Sequence, residues 1–407
     1  MPESTAPSKT RRDAIVIVAY ALLVLGLVAV ASATASPARP LLDSLSWHDP
    51  FGRQSLFVLV GAGLMLLVSR LAPGALGSAS WQTAAAIALG AVAMIGLALP
   101  LIPGLATQHR GALRWLQFSA GGATINIQPS EFCKLAMVVF LAWWTTLPNI
   151  HLRSLRQGFL PVIGCVGVCA ALVGREDVGT AGLMAVVAVL VLIVAGCRWT
   201  HLGLAGLLGA GGLAGLIYFE SYRWKRVTAY LNLDHDPLGS GYQPLQSLTT
   251  IASGGWFGVG LGAGIQKHGY LPESHTDFVF AMVCEEMGVF GGFVIIGLFA
   301  TMVWLGIKTM RTAATEFERL LAFGLTSMIA WQAVMNIAVV TVVTPTTGIS
   351  LPLISAGGSG ILTYSVMIGL LAAIAFRGQA AEPGRQKSLA GGAAIRFGTA
   401  SSQASMP

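Results

Sequence analysis

Apolar positions along this chain gather into long runs, each about long enough to cross ~30 Å of hydrocarbon as a helix. The pattern predicts ten spans, at roughly 14–34, 54–72, 82–102, 131–147, 158–174, 179–196, 201–219, 277–305, 321–343 and 360–376. The eighth is longer than a straight crossing needs. The first run follows Lys9, Arg11 and Arg12, but it is too long for a removed signal peptide and lacks a small-residue cleavage site. The expected organisation is a short tail over 1–13, one all-α polytopic membrane domain over 14–376, and a flexible tail over 377–407 rich in Ala, Gly, Ser and Gln.

Composition agrees. The 407 residues are 55% hydrophobic and 10% charged, against about 25% charged in a soluble domain. The net charge of +7 does not imply nucleic acid, because basic residues in a membrane protein mainly orient the chain. With both termini cytoplasmic, fourteen Lys and Arg fall on inside segments and nine outside, and Lys134 remains within the membrane. Four of the outside nine share one long loop, where charge counts less. The expectation is a multi-pass protein of the cytoplasmic (inner) membrane, in contact with its lipids. The five cysteines lie in or beside apolar runs without CxxC spacing, so neither a zinc site nor a disulfide framework is indicated.

Four outside segments are not ordinary connectors. The loop at 103–130 holds Arg110, Arg114 and Trp115 and ends in Gln128-Pro129-Ser130. The turn at 174–180 carries Asp177, the loop at 220–276 exceeds fifty residues, and the turn at 344–359 is rich in Thr, Ser, Pro and Gly. Loops this long are functional or disordered, and the aromatic content of 220–276 argues against disorder.

Within them, the stretch Trp256–Gly288 brings Lys267, His268, Glu273, His275 and Asp277 to a membrane edge behind a glycine-rich turn. Ionisable groups at that depth are costly and mark functional sites by default. The glycine alternation at 258–264 misses the dinucleotide spacing and has no βαβ context, so no organic cofactor is expected.

Each candidate also has a structural reading. Glu131 suits the first turn of a helix that Pro129 opens, and it can pair with Lys134 three residues on; alternatively, Lys134 presents its ammonium to an external cavity. Asp177 can cap the sixth helix or line that cavity. Asp277 follows Thr276, itself a good cap, yet Phe278, Val279 and Phe280 behind it would partly desolvate its carboxyl, raising its pKa and improving it as a base. Glu285, about 80° around the helix from Asp277, could border the same cavity, while Glu286 points elsewhere and would tie helices together.

These segments together resemble the SEDS family (shape, elongation, division and sporulation) of bacterial cell-wall synthesis. The resemblance rests on Gln128-Pro129-Ser130-Glu131-Phe132-Cys133-Lys134, Asp177-Val178-Gly179-Thr180, Asp236-Pro237 through Gln246-Ser247, Gly260-Leu261-Gly262, Tyr270-Leu271-Pro272-Glu273-Ser274-His275-Thr276-Asp277-Phe278, and Gly348 through Ser359. Lys267 and Tyr270 look more like the division-type than the elongation-type members. The resemblance implies a peptidoglycan glycosyltransferase that polymerises lipid II on the outer face of the membrane, with Asp277 as the catalytic carboxylate. It places Glu131, Lys134 and Asp177 at the site. Arg114, Arg223, Arg226, Lys267, Glu273, His275 and Ser355 join them as candidate substrate contacts. A divalent cation, Mg2+ or Mn2+, could clamp the pyrophosphate; no metal ligand is assigned. Expected partners are the growing glycan chain, a class B penicillin-binding transpeptidase (FtsI-like) docking on the eighth and ninth helices, and other divisome proteins at the septum.

Several positions depart from the family pattern. Glu176 stands where a proline is usual, Ala356 and Gly360 replace a Tyr and a Ser, and Gly269 replaces a larger residue. Two rival readings remain at this point. A transporter or lipid flippase predicts broken helices in corresponding halves of the chain. A catalytically silent divisome scaffold predicts no activity despite Asp277.

Overall fold

The computed structural model describes residues 10–34, 46, 49–102, 106–109, 112–120, 123–233 and 236–401, with side chains for most of these through 381. Ten helices follow the ten expected runs: α1 (Thr10–Thr34), α2 (Pro50–Leu76), α3 (Ala79–Ala98), α4 (Pro129–Thr145), α5 (Leu160–Glu176), α6 (Val178–Val194), α7 (Trp199–Tyr218), α10 (Val279–Thr312), α11 (Glu316–Val340) and α12 (Gly358–Ser401). Between α7 and α10, the long loop contributes α8 (Ser221–Leu231) and α9 (Tyr242–Gly254). Among the described residues, eight helices are long and apolar enough to cross a membrane, α5 with the helical turn that precedes it from Leu155; α4 and α6, at 17 residues each, are at the short end.

Local chemistry sets the helix ends. Pro occupies the first turn of α2 and α4, where its missing N–H costs nothing. Ser78, Asp177 and Thr315 cap α3, α6 and α11 by accepting from Trp81, Thr180 and Glu318 N–H respectively.

Two segments carry structure that the hydrophobic pattern does not specify. The loop at 103–130 holds a small three-stranded antiparallel sheet, β1 (Ala106–His109), β2 (Ala112–Ala120) and β3 (Ala123–Ile127), in an otherwise helical fold. The helix that begins at Gly358 extends past 376. Its membrane part runs Gly358–Ala381, and the helix continues through Ser401, into the stretch expected as a flexible tail.

Burial orders the helices. In α12, 78% of the most apolar window is buried inside the protein, and in α11 61%, against 11% in α3 and 6% in α7. The last two helices therefore form the centre, and α3 and α7 face lipid. At the inner end, Arg377 of α12 donates from Nε to Glu318 of α11 (2.8 Å) and from a terminal nitrogen to the Pro73 carbonyl of α2 (2.7 Å). At the other end lie the four segments expected outside.

The extra length of α10 has a physical cause. Gly288 has φ 70° and ψ −177°, so the helix breaks there. The break cuts the bonds that Val289 and Phe290 N–H would make to the carbonyls of Glu285 and Glu286. The glycine-rich turn replaces them. Val289 and Phe290 donate to the carbonyls of Gly255 and Trp256 (2.9 and 3.2 Å), and Val259 and Gly260 donate to those of Glu285 and Glu286 (both 3.0 Å). All four groups are satisfied, as a membrane-level break requires. This contact is backbone on backbone: a β-carbon on Gly258 would stand 2.1 Å from Glu286 O, and one on Gly288 2.2 Å from Trp256 O.

A candidate active site at the outer end

The centre of the outer end is the turn between α11 and α12, residues 341–357. Seven neighbours hold it. Ser247 of α9 donates to Val340 O (2.6 Å), while Tyr230 and Arg226 of α8 donate to Val343 O (2.7 Å) and Thr346 O (3.0 Å). Gly179 of α6 lies against Thr347 and Ile349, and Gly26 of α1 crosses the Leu353–Ile354 backbone too closely for a side chain. Gln54 of α2 reaches Ser355 O at 3.4 Å, and the stretch before α10 packs on its other side. Val342 and Leu353 have φ of 56° and 63°, conformations rare for such residues and kept only where surroundings impose them.

Asp277 sits against this turn. Its half-buried carboxylate has Oδ2 3.5 Å from the β-position of Gly348. Gly348 has φ 75°, so glycine suits that point on both counts. The Asp277 carbonyl accepts from Asn336 Nδ2 at 2.8 Å. Ser355 donates from Oγ to Thr276 O (2.6 Å) and accepts from Leu351 N–H (2.7 Å), and Ala356 N–H donates to His275 O (2.9 Å). Glu273, with φ 58°, accepts at its carbonyl from Thr276 and Phe278 N–H and shapes the turn that launches α10.

Across the turn, Lys134 is buried, with 1% of its side chain exposed. Its Nζ donates to Glu131 Oε1 (2.8 Å), to Gln332 Oε1 (2.7 Å) and to Tyr364 OH (3.4 Å). All three ammonium protons are committed. The expected Glu131–Lys134 pair is present, but Lys134 does not present its charge to an open cavity. Asp177 caps α6 with both oxygens, accepting from Thr180 N–H (2.9 Å) and Thr180 Oγ1 (3.0 Å).

Other candidates lie elsewhere. Lys267 is buried and donates to Glu286 (3.1 Å), Gly262 O (2.6 Å) and Ser32 O (3.0 Å), so it ties α1 to α10. Glu286 also accepts from Ser32 Oγ at 2.6 Å, the helix-tying role expected of it. Glu285 is engaged by the glycine-rich turn: its Oε1 accepts from Ile265 and Gln266 N–H (2.9 and 3.3 Å). Arg223 donates to the carbonyls of Leu216 and Arg175, and Arg226 adds Tyr222 to Thr346. Arg114 lies on β2, with its side chain outside the described residues.

Sequence reading missed Gln332 and Asn336. Both are buried in α11, 1% and 0% exposed, and four residues apart on one helix face. Gln332 Nε2 donates to Ser350 O (2.9 Å), and Asn336 Nδ2 donates to Ile349 O (2.7 Å) as well as to Asp277 O. Amide side chains inside a span were signals of the same kind as the charges that were noticed.

The family model for the FtsW, RodA and SpoVE cell cycle proteins matches residues 12–379. The chain belongs to this family. Among relatives of the FtsW/RodA/SpoVE family, stage V sporulation protein E of Bacillus subtilis is 38% identical over 365 residues, 89% of this chain and 96% of that one. A probable peptidoglycan glycosyltransferase FtsW of Halorhodospira halophila is 37% identical over 366 residues, 88% of each chain. Among solved structures, a chain described under "Structural coordination of polymerization and crosslinking by a peptidoglycan synthase complex" aligns with TM-score 0.67 at 27% identity, covering 89% of this chain and 96% of that one. RodA of Thermus thermophilus shares the fold, with TM-score 0.60 at 24% identity, covering 89% and 95%.

Proposed function

We propose that this chain is a peptidoglycan glycosyltransferase that polymerises lipid II on the outer face of the cytoplasmic membrane, in septal wall synthesis. The observation that carries the reading is the half-buried carboxylate of Asp277, seated against Gly348 where the outer motif segments converge. The septal role rests on the similarity to proteins named FtsW.

In this reading Asp277 accepts the proton of the acceptor sugar's 4-hydroxyl. The hydroxyl oxygen then bonds to the donor's anomeric carbon with inversion, the bond from that carbon to the pyrophosphate oxygen breaks, and lipid pyrophosphate departs. General-base help of this kind is worth roughly 10²–10⁴-fold. Lys134 supports the wall from within, because its protons are already held by Glu131, Gln332 and Tyr364.

A divalent cation fits only in part. Among the described residues no group of three or more His, Cys, Asp or Glu side chains could hold a metal ion. A bound Mg2+ or Mn2+ would need substrate oxygens to complete its shell, as such ions commonly take only one or two carboxylates. When bound it would neutralise charge on the leaving group.

For a partner we propose a class B penicillin-binding transpeptidase. Support comes from the similarity to a chain solved in a synthase complex and from the exposed Phe290, Phe293, Trp304 and Trp331 on α10 and α11. The break in α10 is the one feature that favours a transporter, but its backbone is closed by the 255–260 segment. The deciding experiment reconstitutes the protein with lipid II and a cognate transpeptidase, and measures polymer and leaflet exchange separately. Polymer that depends on Asp277 supports the reading; near-normal polymer from Asp277→Asn removes Asp277 from the mechanism.

A further inference from the structure

Gln332 and Asn336 are closed off from solvent. Each joins one wall of the site to one of two adjacent residues of the central turn, Gln332 to Ser350 and Asn336 to Ile349. Gln332 accepts a hydrogen bond from Lys134 Nζ at Oε1 (2.7 Å) and donates one from Nε2 to Ser350 O (2.9 Å). Asn336 donates from Nδ2 to Ile349 O (2.7 Å) and Asp277 O (2.8 Å). Because they are four apart on one helix, their separation is set by α11 itself. A rigid helix therefore spans the two walls through adjacent carbonyls of one strained turn.

Resting on the proposed function, we infer that Gln332 and Asn336 are positioning residues of the polymerisation site, fixing the Asp277 wall relative to the Glu131–Lys134 wall through Ile349 and Ser350. Neutral amides suit the task. An amide donates and accepts at once, which neither a carboxylate nor an ammonium can do, so one side chain can bridge a cation and a carbonyl. Buried polar groups rigidify a unique arrangement where they are satisfied, as Gln332 is at both its oxygen and its nitrogen. Asn336 Oδ1 is buried without a hydrogen-bond partner, so the Asn336 amide is oriented by its two donated bonds.

The test uses the full-length protein with its transpeptidase in proteoliposomes, and three variants: Gln332→Glu, Gln332→Met and Asn336→Leu. Gln332→Glu keeps an acceptor for Lys134 but loses the bond to Ser350 O. The expected result is turnover at least tenfold lower for each, with KM for lipid II within twofold of wild type. The double variant Gln332→Glu/Asn336→Leu should fall no more than threefold below the worse single variant, since both act through one turn. Amide hydrogen exchange over 351–356 should quicken at least tenfold, with α4 and α10 unchanged. Wild-type turnover and exchange in Gln332→Glu would overturn the inference, as would exchange quickened equally in all helices. Absence of polymer from the wild-type protein would count against the proposed function alone, and the exchange comparison would still decide the positioning role.

Discussion

Glu131 holds Lys134 with one carboxylate oxygen and leaves the other beneath Gly360, buried without a hydrogen-bond partner, 3.5 Å from where a β-carbon on Gly360 would stand. A hydroxyl there would lie within reach of that oxygen. Gly360→Ser should therefore raise stability by about 1 kcal/mol beyond Gly360→Ala, which gains only helix propensity. Melting midpoints in detergent measure the difference. Equal midpoints for the two variants would show that the hydroxyl does not reach Glu131.

Removing the ammonium should be far more damaging than adding the hydroxyl is helpful. Lys134→Met leaves Glu131 a buried, unpaired carboxylate, at a cost of roughly 3–5 kcal/mol. Changing Glu131 to Gln in the same chain should recover more than half of that loss. If the double variant melts no higher than Lys134→Met alone, the pair is not what stabilises this wall.

Asp277 should behave in the opposite way. Asn is nearly isosteric with Asp and leaves the Asn336 bond to the residue 277 carbonyl in place, so Asp277→Asn should lower polymerisation by roughly 10²-fold or more while costing less stability than Lys134→Met. A drop in stability comparable to that of Lys134→Met would mark Asp277 as structural.

The closed break in α10 makes a steric prediction. Gly258→Ala and Gly288→Ala each drive a methyl group to within 2.2 Å of a backbone carbonyl, and both positions have positive φ. Each should cost more than about 2 kcal/mol or abolish folded protein. Gly297→Ala, farther along the same helix with open space around it, should cost nothing and gain up to about 1 kcal/mol of helix propensity. Yield and melting midpoint of the three variants, compared side by side, decide it.

The spans were readable to within a few residues because lipid demands long apolar runs and a fully bonded backbone. The sheet was overlooked although it carries a local signature. Ala120 pairs with Ala123, which leaves the dipeptide Gly121-Gly122 between two strands, a hairpin signal by composition alone. Lys267 illustrates a different limit. As an outside cation it looked available to substrate, but its partners Ser32 and Glu286 come from separate helices, and spacing along the chain cannot reveal that pairing. The buried amides of α11 could have been singled out as intramembrane polar groups. Their partners could not, because these are backbone carbonyls of a turn whose shape only the fold defines.

The break at Gly288 divides α10 into two pieces that need not move as one. The outer piece starts at Val279, nine residues or roughly 14 Å along the axis from the break, and Asp277 lies just beyond its tip. A rotation of only 10° about the break would carry that carboxylate by about 3 Å, whereas a displacement of about 1 Å can cost a reaction 10²-fold. The short outer piece is thus aimed from both ends, by the glycine turn that grips its foot and by the Asn336 bond that holds the backbone at its tip, so a disturbance at either reaches the carboxylate.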